Sequence, residues 1–274
     1  MRRSPRRKGL GVSGDIAGVI AAVLAGIAAP NALAGSCTLQ SPAHRVSVLE
    51  LYTSEGCNSC PPADRWFSAL AQQGVSSQNA VQLAFHVDYW NQLGWPDRFS
   101  QSRYSQRQRE VASRASKGVV YTPQILLDGR DLRLNYSVEQ LRSKLDAINR
   151  EPGLAKIDAR VLTSADSLRI TAEVEVMPAA RGPGIRSWVA AYENGLQTQV
   201  KAGENAGKLL QHDYVVRELA GPFPLDADGR AHLVYVIKLR SDWDARNMGI
   251  AVFVERANSG EILDATAMYP VCAS

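Results

Sequence analysis

The sequence predicts an α/β N-terminal domain followed by an all-β antiparallel, sandwich-like domain, and three observations predict it. Strand, helix, strand, helix, strand, strand and helix signals follow one another between residues 46 and 148. Glu151-Pro152-Gly153 then breaks the chain. Beyond the break the apolar periodicity changes from helical to two-fold. The two domains are expected over residues 43–150 and 155–272.

Residues 46–52 are an apolar run with Glu50 inside it, bounded by Thr53-Ser54-Glu55-Gly56, and predict a largely buried strand that ends in a loop. Residues 63–72 have helical spacing, with Trp66, Phe67, Leu70 and Ala71 available to one face. Residues 81–89 predict a second strand. The stretch 99–116 is polar and rich in Arg and Gln, long enough for an exposed helix, and Arg103, Arg107, Arg109 and Arg114 are expected on its solvated face. Residues 121–127 predict a third strand, Asp128-Gly129 a hairpin turn and residues 130–134 a short fourth strand. Ser137 is expected to cap a closing helix through Ile148, with Glu139 and Gln140 in its first turn and Leu141 and Leu145 four apart.

Past the break, Leu168, Ile170, Ala172, Val174 and Val176 alternate with Arg169, Thr171, Glu173 and Glu175, the pattern of a strand with one wet face. Ile157, Ala159 and Val161 alternate likewise. Asn194-Gly195 predicts a hairpin turn, and further strands are expected at 214–219, 233–239, 250–255 and 262–267. Seven or eight short strands in about 120 residues favour an antiparallel sandwich.

The first 34 residues differ from the rest. Arg2, Arg3, Arg6, Arg7 and Lys8 precede an apolar stretch from Ile16 to Ala29, and Ala32-Leu33-Ala34 supplies small residues for cleavage. That order predicts a signal peptide over residues 1–34 and a periplasmic or secreted protein. No stable membrane anchor is expected after cleavage, because the stretch is shorter than the ~20 residues a spanning helix needs. The chain has 31 basic and 27 acidic residues, and without the leader's five basic and one acidic residue 26 of each remain. A neutral protein lacks the basic surplus of a nucleic-acid binder. With 45% hydrophobic and 21% charged residues, the composition is that of a globular protein and excludes general disorder.

Four cysteines follow the leader. An even number in an exported chain predicts pairing. Cys57 and Cys60 pair by proximity, which leaves Cys37 with Cys272 as a structural bridge that closes nearly the whole chain. In the loop-entropy account such a closure stabilises by roughly 5 kcal/mol.

Cys57-Asn58-Ser59-Cys60 follows a buried strand and opens a helix. Backbone N–H groups at a helix start favour a thiolate, so Cys57 is expected as the nucleophile and Cys60 as the resolving thiol. The chemistry requires that an incoming sulfur can reach this junction. A permanent structural disulfide is the competing reading of the same spacing. Zinc is not expected, because no second close pair of ligands exists, and the four His and four Met form no copper motif with the cysteines. Neither metal nor cofactor is predicted.

Thr122-Pro123 stands at the entry to the third strand, where proline is uncomfortable. A cis bond beside the cysteines, leaving the Thr122 backbone to pair with a substrate chain, is one explanation, and a strand-leading trans proline is the other. His86 and Asp88 share a face of the second strand and are candidates for proton transfer or for a structural hydrogen-bonded pair. Tyr89, Trp90, Trp95, Phe99 and Tyr104 form either core or a docking surface.

Taken together, the CxxC, the Thr-Pro and the element order resemble the thioredoxin superfamily. Leu49-Glu50-Leu51-Tyr52-Thr53-Ser54-Glu55-Gly56-Cys57, His86-Val87-Asp88-Tyr89-Trp90 and Tyr121-Thr122-Pro123-Gln124 resemble one branch, the secreted bacterial family known as domain of unknown function 1223, over residues 46–272. The resemblance implies a thioredoxin-like N-terminal domain; the family itself has no assigned reaction. Two departures stand out. Pro61-Pro62 displace the regular helix to start near Ser59 or Cys60, and Leu51 occupies the place of the buried carboxylate that thioredoxins keep. The expected function is thiol–disulfide oxidoreduction on protein or small-molecule thiols and disulfides. The alternative is a non-catalytic extracytoplasmic binding or assembly module whose CxxC is a staple.

Overall fold

Short alternating segments dominate the protein, and a computed structural model describes residues 35–115, 118–133 and 137–272. The expected leader lies outside the described residues. The N-terminal half contains β1 (Ser36–Gln40), β2 (Ser47–Thr53), α1 (Pro61–Ala69), β3 (Ala80–His86), α2 (Ser102–Ala115), β4 (Gln124–Leu127), β5 (Arg130–Asp131) and α3 (Val138–Ile148). The C-terminal half contributes β6 (Ala155–Thr163), β7 (Ser167–Val176), β8 (Ile185–Glu193), β9 (Leu196–Gln199), β10 (Leu209–His212), β11 (Val215–Pro224), β12 (Arg230–Lys238), β13 (Met248–Arg256) and β14 (Ile262–Met268).

The expectation of an α/β thioredoxin-like domain followed by an all-β sandwich is corrected by the sheet topology. The fold is β-rich, and one eight-stranded mixed sheet runs β14-β13-β8-β11-β3-β2-β4-β5 through both halves of the chain. The junction is β11 beside β3, with Val215 opposite Ala84 and the Ala84 N–H donating to the Tyr214 carbonyl at 2.8 Å. The physical reason is edge protection. All seven residues of β3 are buried, and an unpaired edge there would strand backbone N–H and C=O groups away from water. A four-stranded sheet, β1-β6-β7-β12, and a two-stranded sheet, β10-β9, complete the architecture.

Each face of the long sheet is covered by what the side-chain alternation dictates. Leu49 and Leu51 of β2 pack with Phe67 of α1 and Leu141 and Leu145 of α3, while Val189 of β8 and Ile250 and Val252 of β13 pack against β6, β7 and β12. On the opposite face Tyr52, Phe85 and Phe253 meet Tyr104 and Val111 of α2. Arg107 departs from the solvated face expected of α2. It is buried between Glu50 of β2 and Glu255 of β13, donating Nε–H to Glu50 at 3.0 Å and Nη1–H to Glu255 at 3.0 Å.

Several local expectations match the described elements. Ser137 accepts the Gln140 N–H at the start of α3, and Asp128 and Gly129 both take positive φ, 49° and 74°, in the β4–β5 turn. The third strand begins at Gln124 rather than Tyr121, and the fourth is only Arg130–Asp131, with Leu134 outside the described residues. Among the described residues no helix is long and apolar enough to cross a membrane.

Candidate functional site

The β2 strand ends at Thr53, and α1 begins at Pro61 with Cys60 at its cap. Proline fits this first turn because the N–H it lacks has no intrahelical partner there. Cys57 therefore lies in the preceding turn, outside the helix. Its N–H bonds the Ser54 carbonyl at 3.2 Å, and the Cys60 N–H bonds the Cys57 carbonyl at 3.2 Å. Cys57 and Cys60 form a disulfide, with Cα atoms 5.4 Å apart. The Ser59 hydroxyl lies 3.3 Å from the Cys57 Sγ, and a disulfide sulfur has no proton to give, so the hydroxyl donates. Cys37 and Cys272 form the second disulfide, Cα atoms 5.2 Å apart, against the apolar core between the four-stranded sheet and β8, β11 and β13.

Both sulfurs of the CxxC are covered. Cys57 and Cys60 are 0% exposed, although Asn58 and Ser59 between them are exposed. The loop 200–208 joining β9 to β10 is bonded to the turn that carries them. Buried Asn205 donates its carboxamide N–H groups to the carbonyls of Glu55 and Cys57 at 2.8 and 2.9 Å, and Glu204 accepts the Asn58 N–H at 3.1 Å.

A cluster of buried titratable groups adjoins this turn. Asp64, one helical turn after Cys60, accepts the Thr53 hydroxyl on Oδ1 at 2.7 Å, and its Oδ2 lies 3.8 Å from His212 Nδ1. His212 Nε2 lies 3.5 Å from Glu55 Oε1. Trp95 donates its indole N–H to Glu55 Oε2 at 2.8 Å. The His86 ring stands edge-on to that of His212, centroids 4.9 Å apart. Glu55 Oε1, Asp64 Oδ2, His86 Nε2 and His212 Nε2 are buried without a hydrogen-bond partner among the described residues. No group of three or more His, Cys, Asp or Glu among the described residues is arranged to hold a metal ion.

Burial pushes the Asp64 carboxyl above the usual carboxylate range, and the neighbouring imidazoles of His212 and His86 offset only part of that push. For His86, burial alone would depress the imidazole, but the charge and hydrogen bond of Asp97 outweigh it and the net shift is upward. Asp97 is held low by the same partner despite its burial.

The residues singled out in the sequence fall into two groups. Thr122 and Pro123 precede β4, whose Gln124 faces Tyr52 at the end of β2 that leads to the cysteines, and the Thr122–Pro123 bond is cis. Trp90 connects this point to the CxxC loop. Its indole N–H donates to the Thr122 hydroxyl at 2.8 Å, and a Cβ on Gly56 would come within 3.2 Å of the Trp90 Cβ. His86 and Asp88, in contrast, are not paired with each other. His86 bonds Asp97 at 2.7 Å, whereas Asp88, beyond the end of β3, accepts the Ser105 hydroxyl. Sequence reasoning missed Glu55, Asp64, Asp97, Asn205 and His212. Asp64 alone carried a local signal, three positions before Phe67 on the buried face of α1.

The sequence model of a family described as Protein of unknown function (DUF1223) matches residues 48–255. The chain belongs to the DUF1223 family. Among solved structures, this DUF1223 chain is similar to protein AGR_C_4864 from Agrobacterium tumefaciens at 27% identity, over 85% of this chain and 98% of that one, with a TM-score of 0.60. HBP35 of Porphyromonas gingivalis matches at 17% identity over 83% and 76% of the two chains, with a TM-score of 0.62, a likeness of fold alone. No curated protein matches the DUF1223 chain.

Proposed function

We propose that the chain is an extracytoplasmic thiol–disulfide exchange protein, periplasmic or secreted, whose redox pair is Cys57 and Cys60. The observation that carries this reading is the setting of the pair among buried acids and imidazoles. A bond across two intervening residues removes little freedom from an unfolded chain, so it is a weak staple. Cys37–Cys272 supplies the contrast, spanning 235 positions against an apolar core. Two disulfides in one chain support an oxidising compartment.

In the proposed exchange, an external thiolate attacks the Cys57 Sγ, a new S–S bond forms and the Cys57–Cys60 bond breaks. Cys60 leaves as a thiolate, and Asp64, four residues further along the same helix start, is the proposed group that passes it a proton. A second thiol then displaces Cys57, completing a two-electron reduction of the pair. Thr122, at the near end of β4, is the proposed backbone contact for a polypeptide partner. A structural disulfide is the second reading, favoured by the zero exposure of both sulfurs. The reduction potential separates the two. A value in the exchange-catalyst range of roughly −120 to −270 mV supports turnover, and one below about −300 mV overturns it.

A further inference from the structure

Three features of the hairpin formed by β9 and β10 belong together. It is hydrogen-bonded to neither of the larger sheets. Its loop 200–208 supplies the side chains that cap the redox turn, Asn205 on the carbonyls of Glu55 and Cys57 and Glu204 on the N–H of Asn58. Its base has one left-handed residue on each side of the hairpin, Gly195 at φ 71° and Tyr214 at φ 58°. The Gly195 N–H bonds the Asp213 carboxylate at 2.8 Å, and the Tyr214 N–H bonds the Asn194 carboxamide at 2.6 Å. A non-glycine residue rarely adopts such a φ, and it persists only where its surroundings hold it.

We infer that the loop 200–208 is a gate over the Cys57–Cys60 disulfide and that Asn205 sets which thiols reach it, a proposal that rests on the redox reading above. The closed gate excludes small thiols because no line of approach to either sulfur is open. Opening breaks the two Asn205 bonds and the Glu204 bond, which frees the Glu55 carbonyl and the Asn58 N–H and leaves the Cys57 carbonyl with the Cys60 N–H alone. These are backbone groups, complementary to the N–H and C=O of an extended polypeptide, so a polypeptide thiol replaces what the loop gives up. Lys208 reinforces the closed state by donating to Asn205 Oδ1 at 2.8 Å. The left-handed pair at the base is the hinge.

The test is the rate at which dithiothreitol reduces the pair in the full chain. Dithiothreitol attacks Cys57, is oxidised to its cyclic disulfide and leaves Cys57 and Cys60 as two thiols, so electrons and protons balance. Asn205→Ala is expected to raise that rate at least tenfold. Glu204→Ala, at an exposed position, is expected to raise it severalfold without disturbing the fold. The equilibrium constant with dithiothreitol is expected to stay within twofold of wild type in both. Unchanged rates in both variants would overturn the gate, even with an equilibrium constant typical of exchange. Faster rates combined with an equilibrium lying far toward the disulfide would uphold the gate and sink the redox reading.

Discussion

Asp64 carries the most direct test of the chemistry. With its folded pKa raised by burial, the carboxyl binds a proton in the fold that it would release in the unfolded chain. Stability from this group is thus full at acid pH and lost as pH rises through the folded value. Asp64→Asn keeps an oxygen for the Thr53 hydroxyl but can neither give nor take a proton. Exchange of the Cys57–Cys60 pair in this variant is expected to slow about 100-fold near neutral pH, the usual scale for one general acid or base. Stopped-flow reduction across a pH series checks it, and a change under twofold would remove Asp64 from the mechanism. His86 is legible in the sequence as a candidate but its partner is not. The two-fold alternation that pairs His86 with Asp88 holds only while the strand lasts, and β3 stops at His86.

Strands show where patterns can be read and where they cannot. The alternation of β6 and β7 was visible because one face of each is wet. In β8, Ser187–Glu193 are buried on both faces, so no two-fold signal marks the strand and its small Ala190 and Ala191 read as nothing in particular. The same holds for the loop 200–208, whose bond from Asn205 to Cys57 spans 148 positions and has no local trace. On β14, Asp264 accepts the N–H groups of Val46 and Ala265 at 3.1 and 2.9 Å, and burial pushes its carboxyl up to about 6. Because the unfolded value is about 3.9, this group's contribution to stability falls as pH rises from about 4 to about 6. Asp264→Asn is expected to flatten that part of the melting-temperature profile. Asp128, also raised to about 6 by burial, keeps a residual slope. An unaltered profile in thermal melts from pH 4 to 7 would refute the assignment.

The expected α/β domain followed by an all-β sandwich gives way to one long sheet because the lateral hydrogen bonds of β3 are completed by β11, a pairing no sequence period encodes. Arg107 strengthens that union from the α2 side. Its guanidinium joins Glu50 of the first half to Glu255 of the second and lies 5.3 Å from the Trp188 ring centre. Arg107→Ala leaves the buried Glu50 carboxylate without its cation, while Glu255 keeps Arg186 at 3.0 Å, and is expected to cost about 3–5 kcal/mol. Urea denaturation measures it, and a loss below about 1 kcal/mol, the level of a surface pair, would contradict the burial described.

The Cys37–Cys272 bond also has a mechanical consequence. A tension applied beyond the two ends of the folded chain travels through sulfur and bypasses the lateral bonds of β1 with β6. Under load the protein behaves as a closed ring whose interior is shielded until a reductant cuts the clasp, after which β1 becomes free to peel away first.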